Sequence, residues 1–272
     1  MDIYIDTING ENIAIYEWKP EGEVRDIVYY FHGTQSYSLW FNDVANQMVK
    51  EGVYVISIDR VGCGYSPGER EHIKDIDETI TLYAEFVNRY SHWDVPITFI
   101  GQSFGGAISL GVYFSNKLEC VVDNIVLVTS YLGKLHRLDE CVSVYNGDKT
   151  KKSLNFKTLD FTDVNRYIRF IDNDPLKWDS ITNHSIYQSY LLEERYLKAD
   201  INKFNLKQAL YLYPELDPLV DVNYAKEIFN KIFKNRSETQ SIPFDRHFVW
   251  FSSYIDEVTD RIISWIRRCD EY

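Results

Sequence analysis

Residues 99–108 read FIGQSFGGAI, where an apolar run ends and three glycines crowd around one serine. Glycine at positions 101, 105 and 106 permits a turn too tight for side chains that carry a Cβ. The segment before it, VPITFI, has the character of a buried parallel strand, and the segment after it, GAISLGVYFSN, that of a helix. A strand, a cramped turn and a helix in that order hold the Ser103 hydroxyl out at the strand's C-terminal end.

Working outward, strand and helix alternate. DIVYYFHG and VYVISIDR are unbroken apolar runs, as strands covered on both faces should be. Between them WFNDVANQMVKEG has helical spacing and stops at Gly52. DETITLYAEFVNRY reads as a second helix, and VDNIVLVTS as the strand after the Ser103 helix. The chain opens with alternating DIYIDT and NIAIYEW around Asn9-Gly10, a hairpin signal. Together these predict an α/β domain with a mostly parallel central sheet and helices on both faces.

The alternation breaks between about 134 and 205. That stretch holds the helical patches DVNRYIRFI and SIYQSYLLEERYL but no convincing strand. Alternation resumes with QALYLYPELD, the helix YAKEIFNKIFKN and a last helix, YIDEVTDRIISWIRR. The pattern predicts a catalytic core of residues 1–133 and 206–272, interrupted by a helical cap over 134–205. The cap has 12 basic and 11 acidic residues and ten aromatics, among them Tyr167, Phe170, Trp178, Tyr187 and Tyr190. Such rings either pack the cap on the sheet or line an apolar pocket.

Bulk properties narrow the function. A formal charge of −12 argues against nucleic acid and anionic membrane surfaces as partners. No apolar run reaches the roughly 18 residues a membrane span needs. MDIYIDTING lacks the basic and apolar regions of a signal peptide, so the expected location is the cytoplasm. Cys63, Cys120, Cys141 and Cys269 are scattered without a CxxC spacing, which points to buried reduced thiols and to neither a zinc site nor a disulfide framework.

Gly101-Gln102-Ser103-Phe104-Gly105 fits G-x-S-x-G, the nucleophile elbow, and its place between strand and helix gives that short pattern weight. A serine hydroxyl hardly ionises near neutral pH, so it needs a base and a third group to orient that base. Where the elbow is used, the chain order is serine, acid, histidine. Of six histidines only His247, in IPFDRHFVW, lies beyond the strand QALYLY, which makes it the expected general base. The acid belongs on the loop after that strand, where Glu215, Asp217 and Asp221 compete. Pro218 disfavours helical geometry at Asp217, whereas Asp221 is placed to cap the next helix, so Asp217 is favoured. The tetrahedral intermediate needs N–H donors. One is expected from Phe104; the other falls on the FHGTQS loop, at Thr34 or its neighbour Gln35.

FHGTQSYSLWF, DRVGCGYSPGER, GQSFGG and ELDPLVD occur here in the order found in the α/β-hydrolase superfamily. The chain resembles its monoacylglycerol lipase and lysophospholipase branch, with which the serine aminopeptidases are grouped. The D-x-x-G-x-G-x-S stretch of that branch runs from Asp59 to Ser66, with Gly62, Gly64 and Ser66 in place. The resemblance covers the core on both sides of the cap. It implies hydrolysis of a small acyl ester through an acyl-enzyme, without metal or organic cofactor. It assigns the triad to Ser103, Asp217 and His247 and the oxyanion hole to Thr34 and Phe104.

Other readings use the same residues: a thioesterase or acyltransferase, a non-catalytic receptor, or a peptidase anchoring an amine on Glu193 or Glu194. Those two glutamates have the alternative of a solvated helix face. Arg166 and Arg169, three apart on a helix, could hold a substrate anion or face solvent. Cys63 could be a modifiable thiol at the rim of the site.

Overall fold

The computed structural model describes residues 1–91, 94–133 and 147–270. The expected start of the cap at 134, and the side chains of Cys141 and Cys269, lie outside the described residues. Strand β1 (Asp2–Ile8) turns through Asn9 and Gly10, both at positive φ, into antiparallel β2 (Glu11–Trp18). The parallel strands follow: β3 (Asp26–Phe31), β4 (Val53–Ile58), β5 (Ile97–Gln102) and β6 (Asn124–Val128). Every residue of these four is buried, which is why their sequence shows unbroken apolar runs where a half-exposed strand would alternate.

With β9 (Gln208–Pro214) and β10 (Ser237–Ile242) they form one eight-stranded sheet in the order β1-β2-β4-β3-β5-β6-β9-β10. Successive side chains point to opposite faces. Along β3, Ile27, Tyr29 and Phe31 join the core on one face, and Val28 and Tyr30 the core on the other. The first face is covered by α2 (Ile76–Tyr90), α3 (Phe104–Tyr113) and α7 (Val222–Phe233). The second is covered by α1 (Asn42–Lys50) and α8 (Ile255–Asp270).

The order β4-β3-β5 means that the chain moves one way from β3 to β4 and lies on the other side at β5. The crevice beyond the carboxyl ends of β3 and β5 is therefore a topological switch point, where open α/β sheets bind ligands. Phe31 pairs with Gly101, so the loop after β3 and the turn after β5 emerge side by side.

Between β6 and β9 lie β7 (Lys151–Ser153), α4 (Thr158–Phe161), α5 (Asn165–Asp172), β8 (Ser180–Thr182) and α6 (Asn183–Lys198). The sequence predicts no strand there, yet β7 and β8 pair antiparallel, Lys151 opposite Thr182. Three residues are too few to show a period-2 pattern. The polar strand β10, SETQSI, is also absent from the expected elements; it is a partly exposed edge strand.

This inserted segment is tied to the core beside the switch point. Trp178 donates its amide to the Gln35 carbonyl (3.1 Å) and its indole N–H to that of Gly62 (3.0 Å). Asp174 accepts from the Trp40 indole at 2.8 Å and from the Tyr37 hydroxyl at 3.3 Å. On the far side His247 and Phe248 donate their amides to the carbonyls of Asp160 (2.7 Å) and Phe161 (3.1 Å). Among the described residues, no helix is long and apolar enough to cross a membrane.

Candidate active site

Ser103 sits between β5 and α3 at φ 52° and ψ −123°, a backbone state that costs a non-glycine residue about 1–3 kcal/mol. The surroundings enforce it. Its amide donates to Val128 (3.0 Å), and its carbonyl accepts from Gly106 (3.0 Å) and Tyr131 (3.1 Å). A Cβ on Gly105 would stand 1.9 Å from the Phe31 carbonyl oxygen, so only glycine lets the turn close against β3. A Cβ on Gly33 would come within 3.3 Å of the Ser103 Cβ, which shows how closely the β3 loop approaches the serine.

Asp217 and His247 arrive from the loops after β9 and β10. The His247 Nδ1 lies 2.8 Å from the Asp217 Oδ2, with both side chains almost wholly buried. A carboxylate only accepts, so Nδ1 donates the proton of this bond. The other oxygen, Oδ1, accepts from the amides of Leu219 (2.8 Å) and Val220 (3.0 Å). Burial works to raise the Asp217 carboxyl, but the charge and hydrogen bond of His247 and the two amides outweigh it and hold it below its ordinary range. The competing acids are elsewhere. Glu215 is exposed, and Asp221 caps α7 by accepting from the Tyr224 amide at 3.1 Å.

Ser103, His247, Thr34, Gln35 and Phe104 all line one cavity of about 410 Å³. Its remaining walls are mostly apolar, supplied by Leu154, Phe156, Phe161, Ile181 and Ile186 of the inserted segment and by Leu219. Among the described residues the lining includes no Asp or Glu. Tyr167, Phe170, Trp178, Tyr187 and Tyr190 are not part of it. Tyr167 stacks on Phe251 at 4.2 Å and Phe170 meets Trp40 edge-on at 5.8 Å, so these rings fasten the segment to the core.

The remaining candidates do not line this cavity. Arg166 and Arg169 are exposed and away from the cavity, and Arg166 faces Asp43 at 3.3 Å. Glu193 is buried on α6, not solvated, while Glu194 faces Lys198; neither lines the cavity. Cys63 is buried, and that burial pushes its thiol up to about 11, which leaves little thiolate for modification. Cys63 and half-buried Cys120 are unpaired.

One residue of the site has no counterpart in the sequence reading. Arg60, 3% exposed, donates to the carbonyls of His32 (2.8 Å), Gly33 (2.8 Å) and Thr34 (3.3 Å). In DRVGCGYS it looks like a surface cation; its position directly after a buried strand was the available signal. Its neighbour Asp59 is fully buried and accepts from Ser38, Tyr65 and Tyr16, which ties together the segments after β3 and β4 and strand β2. Burial pushes the Asp59 carboxyl up to about 6 despite those donors.

A strained serine at a strand-to-helix elbow, with a buried Asp–His pair on the same cavity, defines an α/β-hydrolase. The sequence profile of Hydrolase_4, described as serine aminopeptidase, S33, matches residues 22–252, and the chain belongs to that family. Monoglyceride lipase of Rattus norvegicus is 28% identical over 104 residues, 38% of this chain and 34% of that protein. Caffeoylshikimate esterase of Arabidopsis thaliana is 27% identical over 121 residues, 43% of this chain and 36% of that one. The matched stretch thus spans about a third of these relatives' length. Among solved structures, a soluble variant of monoglyceride lipase from Saccharomyces cerevisiae superposes with a TM-score of 0.85 at 15% identity, covering 98% of this chain and 95% of that one. A carboxyl esterase from Bacillus coagulans gives 0.79 at 18% identity, with 98% of each covered. At these identities the likeness is one of fold.

Proposed function

We propose that the protein is a serine hydrolase that cleaves carboxylic esters of apolar acyl groups through Ser103, His247 and Asp217. The observation that carries this reading is the 2.8 Å Asp217–His247 pair on the cavity that Ser103 lines. His247 Nε2 takes the Ser103 proton as the serine oxygen bonds to the ester carbonyl carbon. The Phe104 amide and that of Thr34 or Gln35 receive the oxyanion, and Asp217 stabilises the imidazolium. Collapse of the tetrahedral intermediate breaks the carbon–oxygen bond, and His247 gives its proton to the departing alcohol. Water, deprotonated by the same histidine, then releases the acid from Ser103.

The segment over 134–205 serves as the cap, and its apolar side chains receive the acyl chain. The Gln35 Oε1 is buried without a protein partner among the described residues, which suits a hydroxyl on the leaving alcohol. The named activities of the relatives, on monoacylglycerols and on a caffeoyl ester, agree with this class. The absence of an acidic side chain from the described lining favours an ester over a substrate with a free amine.

A rate survey tests this reading. Purified protein is assayed against monoacylglycerols and p-nitrophenyl esters of increasing chain length, the matching acyl thioesters, and aminoacyl arylamides. Ester turnover with a chain-length optimum is expected, with arylamides inert. Arylamide turnover exceeding ester turnover would replace the proposal with a peptidase.

A further inference from the structure

We infer that Arg60 is a positioning residue, one that fixes the direction of the oxyanion-loop amides and supplies the positive charge behind them. The inference rests on the reading of Ser103 as nucleophile. The guanidinium donates to three consecutive carbonyls, those of His32, Gly33 and Thr34. His32 completes the clamp. Its Nε2 accepts from the Arg60 amide at 3.1 Å, and its Nδ1 lies 3.0 Å from the Gly33 carbonyl and 3.1 Å from the Arg60 Nη1, which wedges the neutral ring between the guanidinium and the loop. Burial first, and the Arg60 charge second, hold His32 well below its ordinary range and keep it in that form.

In a planar trans peptide the N–H points opposite to the C=O of the same unit. Drawing the Gly33 and Thr34 carbonyls toward Arg60 therefore turns the Thr34 and Gln35 amides away from it, on a loop that abuts Ser103. Among the described residues neither amide donates to a protein acceptor, while the Gly33 amide is taken by the Ser36 hydroxyl at 3.0 Å. The guanidinium also lies 5.5 Å from the Phe104 ring and 5.7 Å from that of Trp178, so it touches the residue that carries the third amide.

Among the described residues no carboxylate forms an ion pair with Arg60. A buried cation without a counter-ion is costly unless hydrogen-bonded. Here the carbonyls take its two terminal nitrogens, Nε being without a partner among the described residues, and its charge remains to stabilise negative charge that develops on the substrate. Arginine is required because its planar fork reaches adjacent carbonyls at once; lysine is a point charge.

The test compares wild type, Arg60→Lys and Arg60→Met, with rates expressed per active site titrated by a fluorophosphonate, so that unfolded protein does not count. Two ligands are measured beside kcat and KM. A trifluoromethyl ketone bonds to the serine as an oxyanion; an ether analogue of the ester binds without forming one. Loss of one preorganised donor sets the scale, so kcat should fall about 100-fold in Arg60→Met and roughly tenfold in Arg60→Lys. The trifluoromethyl ketone should weaken by the same factors as kcat/KM, with KM and ether affinity unchanged. Equal weakening of both ligands, or an unchanged kcat in Arg60→Lys, would overturn the positioning role; Arg60→Lys alone decides should Arg60→Met not fold. A folded wild type that takes no fluorophosphonate overturns the serine hydrolase reading itself.

Discussion

The carboxyl ends of β3 and β5 and the inserted segment face each other across one cavity, yet they are built by different means. At the strand ends the site is made from backbone. Gly105 closes on the Phe31 carbonyl, Ser103 is held at positive φ by three main-chain hydrogen bonds, and Arg60 grips successive carbonyls. The inserted segment contributes apolar side chains, held in place by a few bonds such as those of Asp174 and Trp178. Backbone geometry has no spare room and admits few residues. Apolar lining changes shape with each side chain. On the proposed function, the first region would set whether the reaction runs, and the second which acyl chain enters.

The sharpest way to break the contrast is at the strand ends. Ser103→Ala is expected to lower kcat/KM by at least about 10,000-fold with the unfolding midpoint little changed. Stopped assays on active and mutant protein, with circular dichroism, check both. Asp217→Asn should cost about 1,000- to 10,000-fold, because an amide no longer fixes the His247 tautomer. It should also alter acid stability. A carboxyl held below its unfolded value adds stability that is complete above that value, about pH 4, and is lost as pH falls through the lower folded value. The stability gap between wild type and Asp217→Asn, read from urea midpoints, should therefore narrow below about pH 4. A constant gap would contradict it.

Gly105→Ala is expected to destabilise by about 3 kcal/mol or more, since the added methyl meets backbone that cannot yield. Asp174→Asn should cost less, about 1–2 kcal/mol by denaturant titration, because it weakens the hydrogen bonds that tie the inserted segment to Trp40 and Tyr37. Ile186→Trp, on the cavity wall, should barely move stability while shifting the preferred acyl chain to shorter lengths. A shift in Tm as large as that of Gly105→Ala, with an unaltered chain-length profile, would erase the distinction between the two regions.

The same contrast explains what the sequence made legible. Buried parallel strands and the FIGQSFGGAI turn leave unmistakable local patterns, since only apolar runs and glycine satisfy them. The order of serine, acid and histidine then singled out His247 and favoured Asp217, which the structure places 2.8 Å apart. Strands of three residues leave no period to read, and β10 is too polar to stand out from a loop. The role of the aromatic rings stayed open in the sequence because large rings suit packing as well as lining. Tyr167 and Trp178 pack, while Leu154 and Ile186, ordinary residues in the sequence, line the cavity. Arg60 escaped because its partners are carbonyls, which every residue has, so no pairing pattern marks it.

The most direct test of the account is intact-mass labelling with a fluorophosphonate on wild type and Ser103→Ala, followed by peptide mapping. One adduct on wild type, mapped to Ser103 and absent from the mutant, is the predicted result. An unlabelled wild type that is folded, or an adduct that persists in Ser103→Ala, would contradict the assignment of Ser103 as the activated nucleophile.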